Sequence, residues 1–256
     1  MIKSIIAALL LSLSMTAFSQ TFTPEQIAEY RANAEAGDAL AQAMMGSLYY
    51  YGDGVPEDDA TAVKWYTKAA EQGYAEAQYN LGHMYADSEG VAEDDSAAVK
   101  WYTKAAEQGY AEAQYNLGVM YNIGEGVAED DATAVKWFTK AAEQGQTNAQ
   151  YNLGHMYDSG WGVPQDDATA VKWYRKAAEQ GHAKAQGSLG LMHAKGEGVP
   201  EDKVMAYMWW NLAAAQGFGT AKENKGIIQG SMTSAQIEEA QTLSRECLAK
   251  DYKDCG

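Results

Sequence analysis

The chain has 256 residues, a formal net charge of −16 and a hydrophobic share of 46%. Its acidity argues against nucleic acids and anionic lipid surfaces as partners, because both repel a negatively charged protein. An aromatic share of 11% is too high for a disordered acidic chain, so the composition indicates a folded protein with a solvated acidic surface.

The first segment has the organisation of a secretory signal peptide. Lys3 gives a basic start, Ile5 to Leu13 is mostly apolar, and Ala17-Phe18-Ser19 offers small residues at the positions that a signal peptidase reads. The apolar run is too short to span a bilayer. We therefore predict a signal peptide over residues 1–19, with cleavage before Gln20, and a mature protein that is periplasmic or secreted.

A unit of 36 residues recurs five times along the rest of the chain. The clearest copy reads AEAQYNLGHMYADSEGVAEDDSAAVKWYTKAAEQGY and spans Ala75–Tyr110. The other copies span Ala39–Tyr74, Ala111–Gln146, Thr147–His182 and Ala183–Phe218. A unit this short cannot bury its own apolar face, so successive copies must stack.

Each unit predicts two helices joined by a glycine-containing loop. In the second copy, the first helix spans Ala75–Tyr85, and its inner stripe is formed by Ala77, Leu81, Met84 and Tyr85. The apolar face of the second helix is formed by Ala98, Val99, Trp101, Tyr102, Ala105 and Ala106. Asp94 precedes this helix as an N-cap, and Gly109 follows its end. No segment alternates with a period of two, so we predict helix–loop–helix units stacked in a right-handed superhelix, without a sheet.

Two residue types mark the register of all five units. Tryptophans recur as Trp65, Trp101, Trp137, Trp173 and Trp209, and we predict that they lie in the core. Glycines within the first helices recur as Gly46, Gly82, Gly118, Gly154 and Gly190. Because Gly inside a helix costs about 1 kcal/mol relative to Ala, their recurrence predicts that a neighbouring helix comes too close for a side chain.

Both ends of the array carry helix-start signals. Thr23-Pro24-Glu25-Gln26 predicts a capping helix within residues 20–38, and Thr233-Ser234-Ala235-Gln236 predicts another within residues 219–256. These caps flank the five repeats of residues 39–218. Cys247 and Cys255 are the two cysteines of the chain, and an isolated pair in an exported protein predicts a disulfide.

The repeat pattern resembles a known family. Its residues are Ala-x-x-x-Leu-Gly-x-Met-Tyr, then Gly-x-Gly-Val-x-x-Asp, then Ala-x-x-Trp-Tyr-x-x-Ala-Ala-x-x-Gly, and they are similar to the Sel1-like repeat, a relative of the tetratricopeptide repeat. The resemblance covers nearly all of residues 20–232 and implies an all-α fold, an α/α solenoid of five repeats with capping helices at both ends. It also implies an interaction scaffold, since members of the family serve mostly in signalling, envelope stress and host contact.

The resemblance places a partner-binding surface on the first helices, which line the concave face of tetratricopeptide-like solenoids. The candidate contacts are Tyr79, Asn80, His83, Tyr115, Asn116, Tyr151, Asn152 and Trp161. Asn can both donate to and accept from a peptide backbone, and Tyr combines apolar area with a polar tip. Structural alternatives stay open: Asn bonding the next helix, Tyr packing between repeats, and Trp161 folding back as a local plug. The expected partner is a protein or peptide bound by a monomer that does not span a membrane.

The sequence offers no candidate catalytic residue, cofactor site or metal site. His83 and His155 share a register but lie two repeats apart, roughly 20 Å at the usual 8–10 Å helix spacing, so they cannot share an ion. We interpret them as exposed surface histidines. Acidic clusters such as Glu93-Asp94-Asp95 are interpreted as helix caps on a solvated edge, because a calcium site needs more converging oxygens.

The alternative function is an enzyme that binds or hydrolyses cell-wall or β-lactam substrates. A cysteine-rich branch of the resembled family is linked with that activity, and its members carry a Cys pair in each repeat. The repeats of this chain contain no Cys, and neither Ser-x-x-Lys nor Gly-x-Ser-x-Gly occurs in the sequence. The sequence therefore favours a non-enzymatic, exported scaffold.

Overall fold

The computed structural model describes residues 22–255, so the predicted signal peptide lies outside the described part of the chain. Residues 22–255 form thirteen α-helices and no strand. The helices are α1 Pro24–Glu35, α2 Ala39–Tyr51, α3 Asp59–Glu71, α4 Ala75–Ala86, α5 Asp95–Glu107, α6 Ala111–Ile123, α7 Asp131–Glu143, α8 Thr147–Ser159, α9 Asp167–Ala178, α10 Ala183–Lys195, α11 Lys203–Ala215, α12 Gly219–Gln229 and α13 Ser234–Ala249. The prediction of an all-α fold is confirmed.

The helices pack mainly on their neighbours in the chain. Within the five repeats, α2 pairs with α3, α4 with α5, α6 with α7, α8 with α9 and α10 with α11. Each second helix also packs on the first helix of the next repeat. This succession of local contacts is a solenoid, as the period of the sequence predicted.

Aspartates start the second helices. Asp130 Oδ1 accepts a hydrogen bond from the backbone N–H of Thr133 at 3.0 Å, and its Oδ2 accepts from the Thr133 hydroxyl at 2.7 Å. These bonds lower the pKa of the Asp130 carboxyl, because they stabilise its charged form. The other second helices begin at Asp58, Asp94, Asp166 and Asp202, which cap them in the same way. The predicted N-caps are confirmed.

A line of buried glutamines ties each repeat to the one before it. Gln114 Nε2 donates to the backbone oxygen of Ala106 in the preceding repeat at 3.0 Å, and Gln114 Oε1 accepts from Gln144 Nε2 at 2.7 Å. The five equivalent residues are Gln42, Gln78, Gln114, Gln150 and Gln186, and all are buried. At the N-terminal end, Gln42 donates to Ala34 of α1, so α1 takes the place of a preceding second helix. The sequence analysis missed this ladder.

The glycines of the first helices face aromatic rings. A Cβ added to Gly118 would lie 2.7 Å from Cδ1 and Cε1 of Phe138, a contact that would force one of the two groups to move. The rings that cover the equivalent glycines are Tyr66, Tyr102, Phe138, Tyr174 and Trp210. The predicted close approach is confirmed, but the close neighbour is a side chain of the second helix and not its backbone.

The prediction that the tryptophan ladder lies in the core is correct only for Trp209, which is fully buried. The other four tryptophans are half-buried, and a lysine one turn later lies over each ring. Lys104 Nζ, for example, is 4.1 Å from the centroid of Trp101. The residue that follows each tryptophan is the one that packs against the glycine of the first helix, as Tyr102 does against Gly82. Trp101 instead packs on the core cluster between the first and second repeats.

The C-terminal segment closes the array. α12 begins at Gly219, in the register of a sixth first helix, and α13 packs back on α11. The sulfurs of Cys247 and Cys255 are bonded at 1.99 Å, and both residues belong to the core cluster of the last repeat. Across residues 22–255, every helix is too short or too polar to cross a bilayer.

Candidate partner-binding surface

The predicted tyrosines lie between packed aromatic groups. The Tyr79 ring is 5.8 Å from the ring of Tyr102 and 5.1 Å from that of Tyr110, centroid to centroid. Tyr115 lies 6.0 Å from Phe138. Burial raises the pKa of both Tyr79 and Tyr115, so their hydroxyls stay protonated near neutral pH. These rings support the packing of the repeats, and their half-buried edges contribute to the surface.

Tyr151 repeats this arrangement with a different neighbour. Its ring lies 5.7 Å from Tyr174 and 4.8 Å from the imidazole of His182, centroid to centroid. Burial raises the pKa of Tyr151 and lowers the pKa of His182, which favours the neutral form of both groups. The ring contacts of the three tyrosines each join residues of one repeat, so they describe packing within a repeat and not the predicted alternative of packing between repeats.

The predicted asparagines reach toward tyrosine hydroxyls. The Asn116 amide interacts with the hydroxyls of Tyr79 and Tyr102, and this interaction partly offsets the rise that burial causes in their pKa. Asn152 interacts with Tyr115 in the same way. Asn80, Asn116 and Asn152 are half-buried. Their amides connect repeats, with one edge open to solvent.

Trp161 is exposed and anchored at the same time. Its side chain is 49% exposed, and its ring meets the His155 imidazole edge-on at 5.0 Å between centroids. The backbone N–H of Trp161 donates to the backbone oxygen of Met156, which fixes the loop after α8. Trp161 thus packs locally and still presents half of its surface, and its role as a partner contact stays a prediction.

Other large apolar side chains are exposed on the first helices and the loops that follow them. They occupy the ninth, thirteenth or fifteenth position of the unit, and they are Tyr51 at 74%, Ile123 at 56%, Trp161 at 49%, Leu191 at 39% and Ile227 at 76% exposure. We call these five residues the apolar line. Leu248 of α13 is also exposed, but it lies outside the first helices. Sequence analysis named only Trp161, although apolar residues at these variable positions were a readable signal.

A polar cluster lies at the N-terminal end of the same surface. His83 is 3.1 Å from Asp87 and 3.4 Å from Glu89, measured between the nearest nitrogen and oxygen atoms. A cavity of about 120 Å³ adjoins it. Its lining residues are Tyr50, Tyr51, Tyr66, Tyr79, Asn80, His83 and Met84. His83 is thus a partly exposed surface histidine, as we interpreted it, and its carboxylate neighbours come from the end of its own helix and the loop that follows.

The fold and surface define a class of protein, an α-helical repeat solenoid whose first helices present one extended, partly apolar face. The Sel1 repeat family model matches residues 39–74, 75–110, 111–146, 147–182 and 183–218. The chain belongs to the Sel1 repeat family, whose proteins generally mediate protein–protein interactions.

Two solved structures are similar over most of this chain. A Sel1 repeat protein from Oxalobacter formigenes shares 37% identity at a TM-score of 0.73, and the match covers 78% of this chain and 82% of that one. A protective antigen present in uropathogenic Escherichia coli strains, with the same repeat fold, shares 32% identity at a TM-score of 0.61. That match covers 90% of this chain but only 57% of the antigen. The comparison with curated proteins found no match.

Proposed function

We propose that this protein is an exported, non-enzymatic scaffold that binds a segment of a partner protein along its first helices. The observation that carries the proposal is the apolar line, because five of the six large apolar side chains that are exposed among residues 22–255 lie on the first helices, on α12 in their register, or on the loop after α8. Exposed apolar groups that share one set of helices are typical of interaction sites.

Electrostatics favour a basic partner. The chain carries a net charge of −16, and the polar cluster adds Asp87 and Glu89 beside the cavity. Opposite charge raises the rate of encounter, while apolar contacts and hydrogen bonds hold the complex. Tyr79, Asn80, Tyr115, Asn116, Tyr151 and Asn152 would supply the polar edges that contact a bound backbone.

Two features support the proposed export. Residues 1–19 have the sequence of a signal peptide, and the bond between Cys247 and Cys255 is typical of oxidising compartments. Fractionation of cells that carry the full-length chain, with thiol alkylation before lysis, tests both. A processed, alkylation-resistant protein in the periplasm or medium is expected, and an uncleaved, fully alkylated protein in the cytoplasm would contradict the proposal.

Crosslinking in living cells tests the binding surface. A photoreactive amino acid placed at Ile123 should give a discrete crosslinked product, which mass spectrometry would identify. The same probe at Leu248 is the matched control, since Leu248 is similarly exposed and lies on α13. Equal products from the two positions would show that the crosslink reflects exposure alone and would count against the proposed surface.

Charge substitution on the apolar line provides the quantitative test. Ile123→Asp and Leu191→Asp should each weaken the complex by about tenfold or more, because each buries a charge in the interface, whereas Leu248→Asp should leave the affinity unchanged.

The non-enzymatic part of the proposal is tested separately with a chromogenic β-lactam. Turnover of that compound by the purified protein would revive the enzyme hypothesis.

A further inference from the structure

We propose that His83 and Asp87 bind a divalent transition-metal ion, with Glu89 and Tyr50 holding the imidazole in place. This proposal concerns a ligand of the protein alone and does not depend on the protein partner. Four observations support it. They are the separation of the two donor atoms, the contacts of Glu89 with the imidazole and with Tyr50, the difference from the other repeats, and the presence of Ser88 where the other repeats have glycine.

The two proposed ligands stand one helical turn apart. His83 Nε2 and Asp87 Oδ2 are separated by 3.1 Å at the C-terminal end of α4. Donors bound to zinc at about 2.0–2.1 Å in a tetrahedral arrangement lie about 3.3 Å from each other. The two atoms thus already have the separation of adjacent ligands, without a change of rotamer. Both side chains are partly open to solvent, so an ion can reach them.

The other side of the imidazole is held as in known metal sites. His83 Nδ1 lies 3.4 Å from Glu89 Oε2, and the Tyr50 hydroxyl donates to the same oxygen at 2.9 Å. A histidine that binds a metal commonly gives its second N–H to a carboxylate, which fixes the tautomer and directs the free lone pair at the ion. Glu89 would accept the Nδ1 proton, and Nε2 would then present its lone pair beside Asp87.

The internal repeats show that this arrangement is specific to one copy. At the three equivalent positions, the other repeats have Ser47, Tyr51 and Asp53; Val119, Ile123 and Glu125; His155, Ser159 and Trp161; and Leu191, Lys195 and Glu197. The second repeat is thus the only one with a histidine and two carboxylates at these positions. Helix capping and stacking do not require the combination, because the other repeats form the same fold without it.

The residue between the two carboxylates also differs from its equivalents. All five repeats have left-handed backbone at this position, but Ser88, with φ 59°, replaces the glycine that the other four repeats have there with φ between 66° and 72°. A side chain is disfavoured in this region, and such strain persists at sites where the surrounding structure requires it. Ser88 lies directly between Asp87 and Glu89, whose carboxylates flank the two nitrogens of His83.

The donor set selects the class of ion. One imidazole with one carboxylate suits zinc, cobalt, nickel or copper, whereas calcium needs six to eight oxygens. Two protein ligands leave further coordination positions for water or for a donor from another molecule. The cavity lined by Tyr51 and Tyr79 adjoins these positions. The competing explanation is direct contact between the His83 imidazole and the two carboxylates, which has the same geometry but no affinity for metal.

Titration of the purified mature protein, without an affinity tag, with Zn²⁺ at pH 7.5 tests the proposal by calorimetry. We expect one ion per chain at micromolar affinity. Co²⁺ should give visible absorption bands on binding. His83→Gln and Asp87→Asn should each weaken binding by at least tenfold, and Glu89→Gln by about tenfold, as substitutions of outer contacts do.

The matched control is His155→Gln. His155 occupies the same register in the fourth repeat but faces Trp161 instead of carboxylates, so this variant should bind the ion like the parent. Circular dichroism would show that each variant is folded. A parent protein that binds no ion at 1 mM Zn²⁺, or one whose affinity is unchanged by His83→Gln, would overturn the proposal and leave direct contact between His83 and the carboxylates as the explanation.

Discussion

Gln108 Nε2 donates a hydrogen bond to Gln78 Oε1 at 2.7 Å, although the two residues lie thirty positions apart in the sequence. Gln78 in turn donates to the backbone oxygen of Ala70 at 3.0 Å. The oxygen of Ala70 lies in the last turn of α3, where it also accepts the backbone N–H of Gly73. One buried side chain thus joins three helices and adds a second hydrogen bond to a carbonyl at a helix end.

Removal of one member of this ladder should destabilise the array. Gln114→Leu removes one of the two bonds to the Ala106 carbonyl, which keeps the N–H of Gly109, and leaves the Gln144 side-chain amide without its acceptor, so we expect a loss of about 1–3 kcal/mol in the free energy of unfolding. Urea denaturation followed by circular dichroism measures it. Gln165→Leu is the control, because Gln165 is exposed and its loss should change stability by less than about 0.5 kcal/mol. Equal effects would mean that the ladder contributes nothing beyond a surface bond.

The contact between Gly118 and Phe138 predicts an asymmetry between two alanine substitutions. Gly118→Ala should destabilise the protein by about 1–3 kcal/mol, since the new methyl group meets a buried ring. Gly226→Ala, in α12, meets nothing within 4 Å and should stabilise by up to about 1 kcal/mol through helix propensity. Thermal unfolding of the two variants shows whether each substitution lowers or raises the stability. Stabilisation by Gly118→Ala would show that the Phe138 ring moves aside freely.

Neighbouring aromatic residues should differ in their contribution to stability. Phe138→Ala removes a fully buried ring and should cost about 3–5 kcal/mol. Trp137→Ala should cost clearly less, because its larger ring is half-buried and covered on one side by Lys140 at 4.2 Å. Chemical denaturation of both variants ranks them. The reverse order would restore the tryptophan ladder as the core of the array.

His193 predicts a loss of stability in mild acid. It is buried, and its ring nitrogens have no hydrogen-bond partner among the described residues. Burial, assisted by the charge of Arg175, lowers its pKa below the ordinary value. The unfolded chain therefore takes up a proton near pH 6.5 while the folded chain does not. The free energy of unfolding should therefore have its full value above that pH and decrease as the pH falls below it.

The variant His193→Tyr checks this assignment. The first four repeats carry Tyr49, Tyr85, Tyr121 and Tyr157 in this register, so the substitution has a precedent within the fold. We expect a smaller loss of stability between pH 7 and pH 5 than in the parent. A remaining part should come from His182, whose pKa burial also lowers. An unchanged pH profile would show that His193 takes up its proton in the folded protein as it does in the unfolded chain.

The period of the sequence was sufficient to predict the helices, their caps and their stacking, because each depends on residues that recur at one register. The ladder of Gln114 and its equivalents was not predicted, because Gln usually lies at the surface. Only the fold shows that its side chain reaches the carbonyl eight residues earlier. The burial of Trp137 was overestimated because a broad apolar arc includes two adjacent large residues, and helical periodicity does not decide which of them is deeper.

The candidate surface was predicted only in part, because the prediction relied on residues that recur in every repeat. The repeat consensus predicted Tyr115 and Asn116 as partner contacts, but Tyr115 packs on Phe138 of its own repeat and Asn116 interacts with Tyr79 of the preceding repeat. The residues that distinguish one copy from another, such as Ile123 and Asp87, are the more exposed ones. Departures from a repeat are thus a better guide to its function than the positions that define it.

The glutamine ladder also gives the array a direction and an end. The residue that follows Gln186 in the ladder's register is Lys222, which is exposed in α12 and cannot accept a hydrogen bond. A duplicated unit inserted between Tyr110 and Ala111 would find a matching glutamine on both sides and lengthen the protein from within. The same holds for a unit inserted between Phe218 and Gly219, since it would bring its own glutamine and be followed by Lys222 as the fifth repeat is now, so the ladder permits added units anywhere before that lysine and ends there.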